Sequence, residues 1–244
     1  MKRIFSVMLV ACLALSAMAK DMPKQGFGFQ VGWAQPILRL NSPDNPASAK
    51  DSLTRVEKLN GFKVGVVYDG SFIAGFGASM GLNYTFGASN SGWKSTNPTY
   101  GVYPKGRQFI TYQELEVFVD WQYKFEIAKE TYLMLYTGPT IQCGLAFTMR
   151  QDVQEENLMT GEVKTTYGDK YSAYTTDKTD NALRRLNVTW GVGAGFQYQR
   201  YFLRGGYDFG LINPYKNVDF TNERHTRGRL DQWNIKIGMY LWYE

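Results

Sequence analysis

The last stretch of the chain, residues 233–243, sorts its side chains into two phases that favour a strand with two very different faces. Successive side chains of a β-strand point to opposite faces. One face would hold Trp233, Ile235, Ile237, Met239, Leu241 and Tyr243, and the other would hold Asn234, Lys236, Gly238, Tyr240 and Trp242. An apolar face for lipid and a more polar face for an enclosed interior are typical of membrane β-barrels. We therefore predict a membrane-spanning strand here.

Seven earlier segments alternate in the same way. They cover residues 26–34, 61–68, 72–86, 109–125, 132–147, 185–198 and 200–211. No apolar run after residue 19 approaches the roughly 20 residues that a membrane-spanning helix needs. The sequence therefore predicts an all-β fold, an eight-stranded antiparallel up-and-down transmembrane β-barrel. Pro139 lies within one of these strands and predicts a bulge or a local loss of pairing, because proline cannot donate a backbone hydrogen bond.

The predicted connections alternate between short and long. Short turns are predicted at residues 69–71, at 126–131 and around Gln199, and the Asp69-Gly70 pair suits a tight hairpin turn. Long polar loops are predicted at residues 35–60, 87–108, 148–184 and 212–231. Short periplasmic turns and long outer loops are typical of outer-membrane barrels, so we expect this chain in the cell outer membrane.

The N-terminus predicts export from the cytoplasm. Residues 1–19 combine a basic start, an apolar run and a small-residue site at Ala17 and Ala19, which are the features of a cleaved signal peptide. The barrel domain would then occupy residues 20–244. A second interpretation is a lipoprotein signal, in which Cys12 of the Leu-Val-Ala-Cys sequence carries the lipid.

The inward phases of the predicted strands contain charged residues of both signs. They are Lys63, Glu114, Glu116, Asp120, Lys124, Arg185, Arg204, Asp208 and Lys236. An eight-stranded barrel is just wide enough for its own side chains to fill it, so a structural salt-bridge core is favoured. The alternative is a narrow ion path lined by Glu114, Glu116 and Arg204. Inward glycines leave room either for a cavity or for bulky partners such as Tyr136 and Phe202.

Catalysis, metal binding and nucleic-acid binding receive little support. Glu114 and Glu116 could act as acid and base on one strand face, but their basic neighbours favour ion pairing. His225 is the only histidine, so a zinc site or a histidine-based triad is not predicted. The net charge of +5 is too small and too scattered to indicate nucleic acid. We predict no enzymatic activity and no cofactor.

Aromatic residues fall into two groups. On the apolar phases, Trp33, Trp121, Trp190, Trp233 and Tyr243 are predicted to form a girdle at the membrane surface. Trp93, Tyr100, Tyr103, Tyr167, Tyr171 and Tyr174 lie in the predicted outer loops. These loop residues could bind a surface ligand or pack the loops against each other.

Three blocks of the sequence resemble the PorT-like outer-membrane β-barrel family. The blocks are residues 61–84 (G-F-K-V-G…G-A-S-M-G-L-N-Y), 112–147 (Y-Q-E-L-E-V-F-V-D-W-Q-Y-K-F…L-Y-T-G-P-T-I-Q-C-G-L-A-F) and 190–213 (W-G-V-G-A-G-F…R-G-G-Y-D-F-G-L-I-N). The resemblance implies an eight-stranded barrel and carries over no catalytic residue. Chains of this kind commonly end on an aromatic residue, whereas here Glu244 follows Tyr243.

The expected function follows from a filled lumen and long outer loops. We expect an integral outer-membrane barrel with a structural or surface-interaction role, in contact with outer-membrane lipid and with the barrel-assembly machinery during biogenesis. The alternatives are a narrow channel for ions or small solutes, and an accessory component of an outer-membrane secretion system, as the PorT-like resemblance suggests.

Overall fold

The computed structural model describes residues 25–41, 59–73, 75–95, 102–157, 160–174, 183–214 and 227–243. Eleven strands and no helix lie in these ranges. The strands are β1 (Gln25–Asn41), β2 (Asn60–Ile73), β3 (Phe76–Asn90), β4 (Lys94–Ser95), β5 (Val102–Ala128), β6 (Thr131–Asn157), β7 (Val163–Tyr167), β8 (Tyr171–Ser172), β9 (Leu186–Tyr198), β10 (Tyr201–Gly210) and β11 (Arg227–Tyr243). No helix within the described part of the chain is long and apolar enough to cross a membrane.

Eight of the strands form a closed ring. Each of β1, β2, β3, β5, β6, β9, β10 and β11 pairs antiparallel with the next, and β11 pairs with β1. Closure leaves this ring without an exposed strand edge, which is the condition for a sheet to stand in hydrocarbon. The predicted eight-stranded antiparallel up-and-down barrel is confirmed. The short strands β4, β7 and β8 pair outside the ring.

The polarity of the barrel is the reverse of that of a water-soluble protein. Large apolar side chains are exposed on every ring strand, among them Phe29, Leu203 and Ile237. Lysine, arginine and carboxylate side chains are instead buried inside the ring. An exposed apolar band is favourable only against lipid, and a closed ring satisfies its backbone hydrogen bonds internally. The barrel therefore spans a membrane, and this architecture is that of the outer membrane.

The first periplasmic turn differs from its prediction. β2 continues through Asp69 and Gly70 to Ile73, and Gly75, with φ of +84°, lies in the turn before β3. The predicted turn at residues 69–71 and the predicted start of the third strand at residue 72 are therefore wrong. The reason is that Asp69 points into the lumen, where buried cationic side chains hold it in the strand.

The strands also extend farther outward than predicted. β5 and β6 have 27 residues each, and their ladder continues to the pair Val102 and Asn157. β7 and β8 add to β6, and β4 adds to β5. Parts of the predicted outer loops are therefore strand. Apolar alternation ends where the chain leaves the membrane, but backbone hydrogen bonding continues between polar residues. We call β4, β7, β8, residues 102–112 and residues 147–157 the outer sheet.

Several irregularities change the ladders locally, and two of them bear on the predictions. A register shift in the β1–β11 pair places Trp242 opposite the lipid-facing Phe27, so Trp242 is exposed on the outside. The prediction that Trp242 shares the inner phase of Tyr240 is therefore wrong. At Pro139 the β5–β6 partners skip from Thr140 to Thr137 along β6. The predicted local loss of pairing at this proline is confirmed.

A charge on the lipid-facing phase should cost far more than a small change on the inner phase. Val192 is 44% exposed on the outside, and Thr189 is 0% exposed on the inside. We expect Val192→Arg to lower the free energy of unfolding by about 2–4 kcal/mol near the bilayer centre, and Thr189→Ser to have a small effect. Urea titration of each variant in phospholipid vesicles measures both, and equal losses would contradict the assigned faces.

Candidate functional site

The outer half of the lumen contains an ion pair between side chains of two different strands. Lys63 of β2 donates to both carboxylate oxygens of Glu116 of β5, at 2.8 and 2.6 Å. Glu116 also accepts hydrogen bonds from Gln232, at 2.8 Å, and from Asn83, at 3.3 Å. Both charged side chains are buried. The pair satisfies its polar atoms inside the barrel, as a buried charge requires.

The periplasmic half is organised around Asp69. Its carboxylate accepts from Lys124 at 3.0 Å and from Arg204 at 3.2 Å, and Gln122 and Tyr240 also donate to it. Arg204 is buried and donates further to Ser79, at 2.8 Å. Asp69 is not among the predicted lumen charges, because the Asp69-Gly70 pair predicts a turn. The inward phase of β2 continues from Lys63 to Asp69, and that phase was the available signal.

Four other predicted lumen charges are also buried inside the ring. Asp208 accepts a hydrogen bond from Asn234 at 2.8 Å, and the Lys236 ammonium lies 4.9 Å from the centre of the Phe118 ring. No salt bridge of Lys236 is found within the described ranges. Asp120 and Glu114 are buried, and the Glu114 Oε1 atom has no hydrogen-bond partner among the residues that the structure describes.

Arg185 is not a lumen residue, although the alternation predicted an inward position. It precedes the first residue of β9, and its side chain is exposed. The guanidinium donates to the backbone oxygens of Gly144, at 3.2 Å, and Leu145, at 2.9 Å, and lies 5.0 Å from the Tyr174 ring centre. The prediction is wrong because β9 begins at Leu186, one residue after Arg185, so the alternation of the strand does not extend to Arg185.

Aromatic rings lie over glycines of neighbouring strands inside the lumen. The Tyr136 ring lies against Gly193, and the Phe202 ring lies against Gly238, so that a Cβ at either glycine would overlap the ring. Phe202 also contacts Tyr240, with ring centres 4.8 Å apart. The inward glycines left open either a cavity or bulky partner side chains. At Gly193 and Gly238 the structure has bulky partners. The rings fill space that a channel would need.

An apolar cluster covers the outer mouth of the barrel. Leu59, Ile110 and Tyr112 are buried together with Phe147 and Met149 packed against them. Below them remains a cavity of about 30 Å³, lined by residues that include Glu114 and Asn187. This volume has room for about two water molecules.

The outer sheet carries a second charged cluster outside the membrane-spanning segments. Asp152 of β6 lies between Arg107, at 2.6 Å, and Arg150, at 2.9 Å. Hydrogen bonds from Arg107 and Arg150 hold the pKa of Asp152 below its ordinary value of 3.8. Arg107 also stacks on Trp93, with its guanidinium carbon 4.6 Å from the ring centre. The contacts fix both arginines at the surface of the sheet.

The predicted girdle residues that the structure describes face outward. Trp33, Trp121, Trp190 and Trp233 are all exposed. Trp121 and Trp190 contact each other, with ring centres 5.9 Å apart. The Tyr243 side chain lies outside the described residues, as do Cys12, Ala17 and Ala19. The girdle role, the signal peptide and the boundary of the domain at residue 20 stay predictions.

The described residues show no grouping that would hold a metal ion. No three His, Cys, Asp or Glu side chains come together in this way within the described ranges. Cys143 faces the lipid side of β6, apart from the lumen charges. Glu116 is bound to Lys63, which favours a structural role for the Glu114 and Glu116 pair.

Comparison with known proteins gives similarity only at the level of solved structures. No family model matches the sequence, and no curated protein is similar to it. The attachment invasion locus protein Ail of Yersinia pestis is 10% identical, with 90% of this chain and 100% of that chain covered and a TM-score of 0.37. Neisserial surface protein A is 12% identical, with coverages of 88% and 96% and a TM-score of 0.36. An outer membrane channel from Pseudomonas putida F1 is 7% identical, with coverages of 92% and 97% and a TM-score of 0.28. The PorT-like resemblance stays a prediction.

A side chain added at a ring-bearing glycine should destabilise the barrel. Gly193→Val would collide with the Tyr136 ring, whereas Gly205→Val would meet only a backbone oxygen at 3.9 Å from its Cβ. We expect the first change to lower the free energy of unfolding by about 1–3 kcal/mol and the second to change it little. Urea unfolding in vesicles measures the difference, and equal stability of the two variants would argue against ring packing.

Removing one partner of the Lys63 and Glu116 pair should destabilise the barrel, because the remaining charge is then buried without its partner. Glu116→Gln leaves a buried ammonium unpaired, and we expect a loss of about 3–5 kcal/mol in unfolding free energy. Lys63→Met alone should also destabilise the barrel, and the double variant should lose clearly less than the sum. A double-mutant cycle measures this coupling, and additive losses would show that the two groups do not interact.

Strong acid should loosen the outer sheet around Asp152. Because the folded pKa of Asp152 lies below 3.8, its ion pairs stabilise the sheet above that pH and lose this effect as the pH falls through the folded pKa. We expect weaker hydrogen-exchange protection of β7 in strong acid than at neutral pH. Asp152→Asn should remove the part of this change that arises from Asp152, and an unchanged pH profile in the variant would contradict the assignment.

Proposed function

We propose that this protein is an integral outer-membrane barrel that acts at the cell surface through its outer sheet, without catalysis. In this proposal the barrel holds the outer sheet at the membrane and does not conduct ions or solutes. The observation that carries the proposal is the contrast between the two halves of β5 and β6. Their membrane-spanning halves enclose a lumen filled with buried polar side chains and aromatic rings, and their outer halves continue as a sheet beyond the apolar band.

The outer sheet has the properties of an interaction surface. Tyr167 is 67% exposed, and Val163 and Tyr171 are also exposed, although apolar side chains outside the membrane would otherwise be buried. Tyrosine is among the residues enriched in protein interfaces. Arg107 and Arg150 are held in place by Asp152, so a partner would meet an ordered rather than a mobile surface.

The channel alternative is opposed by the contents of the lumen. A pathway for ions would have to pass the Asp69 cluster, where Arg204 and Lys124 are bound to one carboxylate, and then the Phe202 and Tyr136 rings. The buried side chains would need to move together to open a continuous path. A role as an accessory component of a secretion system rests on the PorT-like resemblance, and it would use the same outer or periplasmic surfaces.

Crosslinking from defined surface positions, together with conductance, tests the proposal. We expect a photoactivatable residue at Tyr167, in intact cells, to form specific adducts with a surface partner, and the same residue at Lys129 of the periplasmic turn to form none. Purified protein in a planar bilayer should show no reproducible open-channel steps. Reproducible steps would favour the channel, and adducts only from Lys129 would favour a periplasmic secretion partner.

A further inference from the structure

A groove on the outward face of the outer sheet lies immediately above the apolar band. It has a volume of about 470 Å³ and is lined by Phe109, Thr111, Thr148, Met149, Arg150 and Lys170. Thr111 pairs with Thr148, and Phe109 pairs with Arg150, so these four residues lie on one face of the β5–β6 ladder. The groove combines two cations, two hydroxyl groups and apolar side chains.

The position of the groove relates it to the membrane surface. Leu145 is the last exposed apolar residue of the band on β6, and Thr148 follows three residues later. Leu145 is an extra residue at a register shift, because Gly144 pairs with Glu114 and Ala146 pairs with Gln113. At about 3.3 Å per residue this places Thr148 about 8 Å farther along the strand. A strand tilt of about 40° reduces the height above the band to about 6 Å. Lipid headgroups occupy a layer of about 5–8 Å on each side of the hydrocarbon.

Arg150 is held in an orientation that suits binding. Its Nε lies 2.9 Å from Asp152, and its guanidinium carbon lies 5.5 Å from the Phe109 ring centre and 5.8 Å from the Tyr167 ring centre. Asp152 is shared with Arg107, so one carboxylate serves two arginines. A side chain fixed in this way loses little conformational entropy when a ligand binds.

Lys170 supplies a second positive charge at the groove. It is exposed, and no ion pair of Lys170 is found in the part of the chain that the structure describes. The neighbouring Asp169 is exposed but does not line the groove. With Asp152 shared between Arg107 and Arg150, the local charge is positive. The groove therefore favours an anion.

We propose that this groove binds the phosphate headgroup of an anionic lipid in the surrounding leaflet. Arginine and lysine are suited to phosphate oxygens, and threonine hydroxyls can donate further hydrogen bonds. The acyl chains of such a lipid would continue along the exposed apolar band below, past Leu145 and Ile141. This continuity with the lipid-facing surface is what favours a lipid over a soluble anion. The groove adjoins the exposed tyrosines assigned to a surface partner, since Arg150 lies 5.8 Å from the Tyr167 ring centre.

Native mass spectrometry of the detergent-solubilised full-length protein tests the proposal. The probes are dioleoyl phosphatidylglycerol, which is anionic, and dioleoyl phosphatidylcholine, which is zwitterionic. We expect tighter binding of phosphatidylglycerol, and a loss of roughly fivefold in its affinity for each of Arg150→Gln and Lys170→Gln. Lys164→Gln, on β7 of the same sheet, removes an exposed charge away from the groove and should leave the affinity unchanged.

Three results would overturn the proposal. The first is unchanged phosphatidylglycerol affinity in both groove variants. The second is displacement of the lipid by inorganic phosphate at equal concentration, which would indicate a site for a free anion. The third concerns polyglutamate, used as a probe for an acidic protein. A groove variant that keeps its phosphatidylglycerol affinity but loses polyglutamate binding would indicate an acidic protein partner. Because Arg150 also contacts Asp152, Lys170→Gln carries the test if Arg150→Gln fails to fold.

Discussion

Ring closure by the β1–β11 ladder is the constraint on which the rest of this structure depends. Hydrocarbon offers no hydrogen bonds, so each backbone N–H and C=O group within it needs a partner in the protein. The pairs from Gly26 with Tyr243 to Asn41 with Arg227 provide those partners for the first and last strands. The closed ring then creates an enclosed interior that water does not fill freely. Inward polar side chains therefore depend on one another for most of their hydrogen bonds and ion pairs.

The lumen is filled in two ways. Charges are placed in compact clusters, of which the Asp69 cluster is the clearest, with cations from β5 and β10 bound to one carboxylate from β2. Rings fill the remaining space by lying over glycines such as Gly193 and Gly238. Both devices depend on partners from distant strands. They make the barrel a solid support, and this is why the outer sheet rather than the lumen is the candidate site of action.

Beyond the membrane the same β5–β6 ladder serves a different environment. Its backbone hydrogen bonding continues, but its side chains change from Leu145 and Ile141 to Thr148, Arg150 and Asp152. The sheet thereby presents polar and charged groups above the apolar band, beside the exposed Tyr167 and Tyr171. One pair of strands connects lipid, headgroup layer and cell exterior.

The sequence by itself determined the fold class, the number of ring strands and the two faces of each strand, because these depend on local alternation. It also indicated Lys63, Glu116 and Arg204 as inward charges. It misplaced Asp69, because the Asp69-Gly70 pair predicts a turn where β2 in fact continues. It also misplaced Arg185 and Trp242, where a strand boundary and a register shift interrupt the alternation. Only the tertiary structure decided which charges pair, which glycines carry rings and how far the outer sheet extends. These features are contacts between strands far apart in sequence, and alternation within one strand contains no information about them.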